Sequence, residues 1–499
     1  MKYVIGVDLG TSAVKILLVD QNGEVTKEVS KDYPLIQEKT GYSEQKPEDW
    51  VNQTVSGIAD LLSNFSGDRT DIEGISFSGQ MHGLVLLDEN QEPLRNAILW
   101  NDTRTTKECQ EIYEQVGEER LLQLTKNPAL EGFTLPKILW VKKNEPALFE
   151  KATTFVLPKD YVRLKLTGKL HMDYSDAAGT LLLDVSKKEW STDICEIFEL
   201  PATFCPPLVG SHEEVGTVLP DVAENMGLTA KTRVFAGGAD NACGAIGSGI
   251  LEEGKTLASI GTSGVVLSYE SSDDKDFQGT VHYFNHGAPD SFYTMGVTLA
   301  AGFSLSWFKE VFAKNESFTE LLAELDTVPP GANGLLFTPY LVGERTPHVD
   351  STIRGSFIGM DSSHERKDFV RAVLEGITFS LNDSVKIFRE HGKTIDTVVS
   401  IGGGAKNETW LQMQADIFDA KIVKLSSEQG PGMGAAMLAA FGCGWFDSLQ
   451  ECADTFLKVD KEFTPIAENV EQYKELFELY QNVYTQTKEL NKNLVKFRK

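Results

Sequence analysis

The chain has 499 residues, 41% of them hydrophobic and 24% charged, with a net charge of −26. That length predicts two domains of about 250 residues each, with the composition of a soluble globular protein. The negative charge argues against nucleic acid and anionic membrane surfaces as partners, and any phosphate ligand would need Mg2+, local cations and backbone N–H groups to hold it. The six cysteines (109, 195, 205, 243, 443 and 452) contain no C-x-x-C pair, the pattern of a reducing compartment without disulfides or a zinc site. No segment reads as a secretory leader or a membrane span, so the cytoplasm is the expected location.

In chain order, residues 3–9 predict a buried strand, 10–12 a tight turn and 13–20 a second strand. Asn22-Gly23 then signals a hairpin. The first turn collects Asp8, Gly10, Thr11, Ser12 and, just beyond, Lys15. Such a turn points N–H and O–H groups at one spot, as a phosphate site requires, and Asp8 could hold a metal through water. From this segment alone, a plain polar hairpin is the favoured reading. Residues 47–66 predict a helix opened by Pro47. Residues 72–94 read as strand, turn, strand, with Gln80, Met81 and His82 at the tip. The cluster ILWNDTR follows at 98–104, then a helix over 132–146 with Lys137 on its polar face. Short elements fill 153–183, and 185–230 reads as a connector punctuated by Pro and Gly.

Near the middle, GGADNACG at 237–244 follows a short apolar strand. Small residues around Asp240 and Asn241 let a ligand approach closely. A carboxylate there suits a general base in a cleft, or it caps a helix starting near Ala242. The second half then repeats the opening theme: VDLGTSAVKILLV at 7–19 is echoed by SIGTSGVVLS at 259–268. Two such hairpins predict pseudo-twofold domains facing one cleft. A helix is expected over 295–312 with Gly302 inside it, and another over 368–390. Residues 397–418 give strand, Gly-rich turn and helix, where a nucleotide could meet free N–H groups. The G-x-G-x-x-G dinucleotide pattern and a Walker A loop are both missing. The helix at 430–444 is rich in small residues and is expected to lie close on a sheet. In the last helix, 469–494, Tyr473, Leu476, Phe477, Tyr480, Val483 and Leu490 are expected to face the core.

Together these segments resemble the FGGY family of carbohydrate kinases over nearly the whole chain. GFTLPKILWVKKN at 132–144 and GSFIGMDSSHERKDFVRAVLE at 355–375 are similar to the family's two signatures. The two G-T-S hairpins resemble the paired phosphate motifs of actin and hexokinase, and IGGGAKN at 401–407 resembles the adenosine motif of that fold. The resemblance implies an α/β protein of two actin-like (ribonuclease H-like) domains, 1–244 for sugar and 245–499 for ATP. SGQMHG at 78–83, LWNDTR at 99–104 and ERTPH at 344–348 imply a ketopentose, D-xylulose phosphorylated at O5. By the same resemblance Asp240 is the base, and Met81, His82 and Asn241 join it around the sugar. Thr11, Ser12, Lys15, Gly261, Thr262, Gly302, Gly403 and Asn407 meet the nucleotide, Asp8 serves Mg2+, and Ser306 and Gly132 are weaker correspondences. The implied partners are a ketopentose and Mg·ATP, with a homodimer as in many relatives. The rivals are another sugar kinase of the family, for ribulose, gluconate or autoinducer-2, and an actin-like ATPase indifferent to sugar.

Overall fold

A computed structural model of the chain describes residues 1–498. Strands β1 (Tyr3–Leu9), β2 (Ala13–Asp20) and β3 (Val25–Asp32) form the expected meander. β4 (Ile72–Gly79) runs parallel to β1 on its other side. β5 (Glu214–Thr217), β6 (Arg233–Phe235) and β7 (Gly238–Ala239) complete a seven-stranded sheet of order β5-β6-β4-β1-β2-β3, with β7 also paired to β4. The stretch 185–230, expected to be a connector only, therefore supplies an edge strand. Its four-residue length and exposed ends leave little apolar pattern to read.

The second half builds another seven-stranded sheet from β8 (Gly254–Ile260), β9 (Gly264–Glu270), β10 (His282–Asn285), β11 (Phe292–Thr298), β12 (Ile395–Gly402), β13 (Lys421–Leu425) and β14 (Val459–Phe463). Its order is β10-β11-β9-β8-β12-β13-β14. The two sheets share one plan. Three antiparallel strands (β3-β2-β1, β11-β9-β8) are followed by two parallel ones (β4-β6, β12-β13). The repeated G-T-S motif thus marks a duplicated domain.

Helix α1 (Pro47–Leu62) buries Trp50, Ile58, Leu61 and Leu62 against β2 and β3. It is followed by α2 (Thr134–Asn144), α3 (Pro158–Thr167), α4 (Tyr174–Ala178) and α5 (Asp240–Ile246). The second half adds α6 (Gly302–Phe312), α7 (Arg366–Glu390), α8 (Glu408–Phe418), α9 (Gly430–Gly442) and α10 (Ala467–Leu494). Among the described residues no helix is long and apolar enough to cross a membrane.

Four expectations change. The segment 295–312 splits, because FYTMGVT is the sheet strand β11, buried at six of its seven positions. Gly302 is consequently the first residue of α6, outside its interior. Lys137 is buried in place of lying on a polar face, its Nζ donating to the carbonyls of Gly132, Phe133 and His82. Leu490 is 59% exposed, because the last turns of α10 run beyond the core that Tyr473 and Tyr480 enter. As expected, α9 lies close on a sheet, here against β1 and β4 of the first half, and also against α5. Its small residues permit this: a Cβ at Gly6 or Gly434 would collide with the backbone of Gly432 or Cys243. A face of the first sheet is thus covered by residues from beyond position 244.

Candidate active site

The cleft floor follows from strand register. In parallel pairing Asp8 of β1 lies opposite Ser78 of β4, and Ser78 lies opposite Gly238 of β7. Asp240 begins the helix immediately after β7. Adjacent strands lie about 4.8 Å apart, so the backbones carrying Asp8 and Asp240 flank β4 at about 10 Å. Ala239 is the helix N-cap, and Asp240 makes no capping bond. The capping role considered for Asp240 is therefore not the one it plays.

Both carboxyls are hard to ionise. Burial, and then the negative charge of Asp8, push Asp240 up to about 7, partly offset by the Asn241 N–H. Burial pushes Asp8 up to about 6 against a hydrogen bond from Ser78 and the charge of Lys15. A carboxylate poised near neutrality in a cleft is suited to accept a proton.

Beside Asp240 lies a cavity of about 380 Å³ lined by Met81, His82, Trp100, Asp102, Gly132, Asn241, His282 and Arg345, among others. The amide nitrogen of Asn241 donates to Asp240 Oδ1 at 3.0 Å and to Met81 Sδ at 3.4 Å. His82 Nδ1 lies 2.7 Å from the Gly179 carbonyl, so Nδ1 carries the proton and Nε2 is left as an acceptor. Burial and the charges of Lys137 and Arg345 bring His82 down to about 3, so the ring is neutral. Asp102 is taken up by Arg104, at 2.6 Å, and by the Ser43 N–H. Arg345, by contrast, has no ion pair among the described residues.

A second cavity, of about 610 Å³, is lined by Gly261, Thr262, Gly302, Ser306, Gly403, Lys406, Asn407 and Trp410, among others. Five of the eight residues expected at the nucleotide line it, as does Ser306. The Gly302 N–H donates to the Gly261 carbonyl at 2.8 Å, and a Cβ at Gly302 would stand 2.5 Å from that oxygen. This close approach explains the glycine. Asn407 caps α8 through a 2.9 Å bond from the Trp410 N–H, leaving its amide nitrogen free to donate. Thr11, Ser12 and Lys15 lie outside this lining, on the β1–β2 turn. Thr11 Oγ1 accepts from Trp100 Nε1 at 2.9 Å, which ties that turn to the rim of the first cavity.

Family models match both halves: the N-terminal domain of the FGGY family of carbohydrate kinases over residues 3–247, and its C-terminal domain over 256–443. The chain belongs to the FGGY family of carbohydrate kinases. It is 65% identical to a Bacillus subtilis xylulose kinase over 499 residues, all of both chains. A ligand-bound xylulose kinase from Lactobacillus acidophilus superposes with a TM-score of 0.92 at 28% identity, covering 98% of each chain. A gluconate kinase from the same organism also reaches 0.92, at 29% identity, over 97% of this chain and 98% of its own. The fold of this carbohydrate kinase therefore leaves the choice of sugar to the pocket.

Asp8 suits a divalent cation held through water: it is a buried oxygen donor on the cleft floor, with Lys15 the one cation acting on it. The buried trio Asp160, Asp173 and Asp176 has metal-like spacing, but Lys159 Nζ bridges all three at 2.7–2.8 Å. Sequence reasoning assigned no role to Arg345, Trp100 or His282. The first two lie inside the motifs ERTPH and LWNDTR, and a lone arginine in a polar motif was the available signal. His282 sits in strand β10 with nothing in its sequence context to mark it.

Proposed function

We propose that this carbohydrate kinase transfers the γ-phosphoryl group of ATP to O5 of D-xylulose. The observation that carries the reading is the placement of Asp240, Asn241, Met81 and His82 around one cavity, while Gly261, Thr262, Gly302, Gly403 and Asn407 surround the other. The 65% identity to the Bacillus subtilis xylulose kinase supports the choice of sugar. O5 of xylulose is the ring oxygen of its furanose form, so the reacting species is the open-chain ketose. A slot with polar groups along its length suits it. His82 Nε2 accepts from a hydroxyl, and Arg345 donates to oxygens at the far end. Asp240, ionised, takes the proton from the 5-hydroxyl as that oxygen attacks phosphorus in line and ADP leaves. Asn241 holds the base through Oδ1 and leaves Oδ2 for the substrate.

The nucleotide's adenosine lies along 401–407 and its phosphates over the 259–264 hairpin, with Thr11 and Thr262 at the γ-phosphate. Ser12 and Lys15 add donors from the facing turn. Mg2+, held by Asp8 through water, would neutralise phosphate charge. Closure of the two halves excludes water, which would otherwise take the phosphoryl group.

The test is ADP release with Mg·ATP against D-xylulose, D-ribulose, L-ribulose, glycerol, gluconate and no sugar. Strong stimulation by D-xylulose is expected. Gluconate as the best substrate would reassign Arg345 to a carboxylate, and release indifferent to every sugar would remove the kinase reading.

A further inference from the structure

The segment Asp173–Gly179 touches both sides of the sugar cavity. At one end the Ser175 Oγ accepts from the Ala239 N–H at 2.9 Å, one residue before Asp240. At the other end the Gly179 carbonyl accepts from His82 Nδ1 at 2.7 Å. Ser175 lies in the five-residue helix α4, and Gly179 follows its last residue. We infer that this bracket sets the distance between the base and the sugar's other ligand, and that Ser175, Asp173 and Lys159 are positioning residues for phosphoryl transfer. The inference rests on the reading of Asp240 as the base and His82 as a sugar ligand.

The bracket is itself fixed to a buried ionic platform. Lys159, wholly buried, places its ammonium 2.7 Å from Asp160, 2.7 Å from Asp173 and 2.8 Å from Asp176. Asp173 Oδ2 caps α4 by accepting from the Ser175 N–H at 2.9 Å, and it also accepts from Ser175 Oγ at 2.5 Å and Ser211 Oγ at 2.8 Å. The Ser175 hydroxyl therefore donates to Asp173 and accepts from Ala239, so it cannot rotate without breaking one bond. Arg163, held at 3.0 Å by Asp160, donates to the Ala236 carbonyl at 2.6 Å. The Gly237 N–H donates to the Ser211 carbonyl at 2.9 Å. Backbone groups at 236, 237 and 239 are thus each gripped just ahead of the base.

An ammonium inside a ring of carboxylates is costly to bury and has little room to shift. That rigidity suits a positioning device. Directional bonds from the Lys159 ammonium and the Ser175 hydroxyl to fixed neighbours specify one geometry, where apolar packing tolerates small slides. Among the described residues Asp240 has no capping bond and no ion pair, so its placement depends on Asn241 and on the backbone that Ser175 fixes.

The experiment compares Ser175→Ala with Ser211→Ala. Each removes one buried hydroxyl from the same Asp173 oxygen, but only Ser175 reaches Ala239. The readouts are kcat, KM for D-xylulose, melting temperature and the ratio of ADP formed to sugar phosphate formed. Ser175→Ala is expected to lower kcat about 10–100-fold, as small misplacements of reacting groups do, with KM within about twofold. ADP should then exceed sugar phosphate, as water attacks phosphorus and releases inorganic phosphate. Ser211→Ala should keep parental kcat and coupling. Ser175→Cys keeps the volume and carries the same prediction if the alanine variant does not fold. Equal losses in the Ser175 and Ser211 variants that track melting temperature would overturn the inference, as would parental kcat and coupling in Ser175→Ala. Asp240→Asn, run alongside, separates the two levels. Full activity there removes the base reading itself, whereas an inactive Asp240→Asn beside a parental Ser175→Ala removes only the positioning role.

Discussion

The two G-T-S hairpins share a motif but differ in turn length and electrostatics: Leu9 pairs with Val14 across four residues, and Ile260 pairs with Gly264 across three. In the first, Asp8 and Lys15 face each other in the β1–β2 register. Aligned on Gly-Thr-Ser, the matching residues of the second are Ser259 and Val266, and Val266 is fully buried. The Gly10 carbonyl accepts from the Tyr33 hydroxyl, while the Gly261 carbonyl accepts from the Gly302 N–H at 2.8 Å. The first hairpin is thus a charged turn tied by side chains, and the second a neutral turn tied by backbone. On the proposed function both turns offer N–H groups to phosphate, and only the first carries a carboxylate for a metal. The charged hairpin is the one to which the proposed function assigns the metal, and the neutral one is the one that lines the larger cavity.

The strongest way to break this asymmetry is to remove the base beside the charged hairpin. Asp240→Asn is expected to lower kcat by about 10²–10⁴-fold, the range of general base help, while sugar binding measured by calorimetry survives. Converting the first hairpin to the character of the second, by Asp8→Ser, should lower activity by about 10–100-fold, the usual cost of losing an outer-shell partner of a metal. It should also raise the Mg2+ concentration needed for half-maximal rate. An unchanged Mg2+ titration would remove the metal role of Asp8. On the neutral side, Gly302→Ala puts a Cβ against the Gly261 carbonyl. Overpacking of this kind costs about 1–3 kcal/mol, so KM for ATP should rise by about tenfold while KM for D-xylulose holds.

Smaller effects come from pH. With Asp240 near 7, kcat/KM should rise with pH through that value, because the ionised form is the active one. The acid limb belongs to the Asp8–Asp240 pair, so Asp8→Ser, which removes a like charge, should shift it to lower pH. Stability runs the other way. A carboxyl raised from 3.8 to about 7 holds its proton more tightly when folded, so folding loses stability as pH climbs between those values. Asp240→Asn should therefore melt about 1–3 °C above the parent at pH 8 and level with it near pH 4. A higher melting point at pH 4 would contradict the assignment.

Much of this was legible in the chain because it is local. A strand ending in Asp-Leu-Gly-Thr-Ser announces its own turn, and the echo at 259–263 announces the duplication. Asp240 stood out because glycines and alanines surround it. What failed to show depends on distant neighbours. The small-residue helix 430–442 reads as a close packer, but nothing in its sequence says that its partner is β1, more than 400 residues earlier. Lys137 reads as a surface lysine until three carbonyls are found around it. Gly302 was placed inside a helix because the β11 strand has apolar residues that also fit a helical spacing. The bracket from Ser175 to Gly179 is invisible in sequence, since its two partners lie 64 and 97 residues away.

The central claim is that Asp240 meets the 5-hydroxyl of an open-chain ketose whose carbonyl end points toward His82 and Arg345. The most direct test is the position of the phosphoryl group in the product made from D-xylulose, read by proton–phosphorus coupling in NMR. The account predicts phosphorus coupled to the C5 protons alone. Coupling to the C1 protons would place the opposite end of the sugar against Asp240 and contradict it.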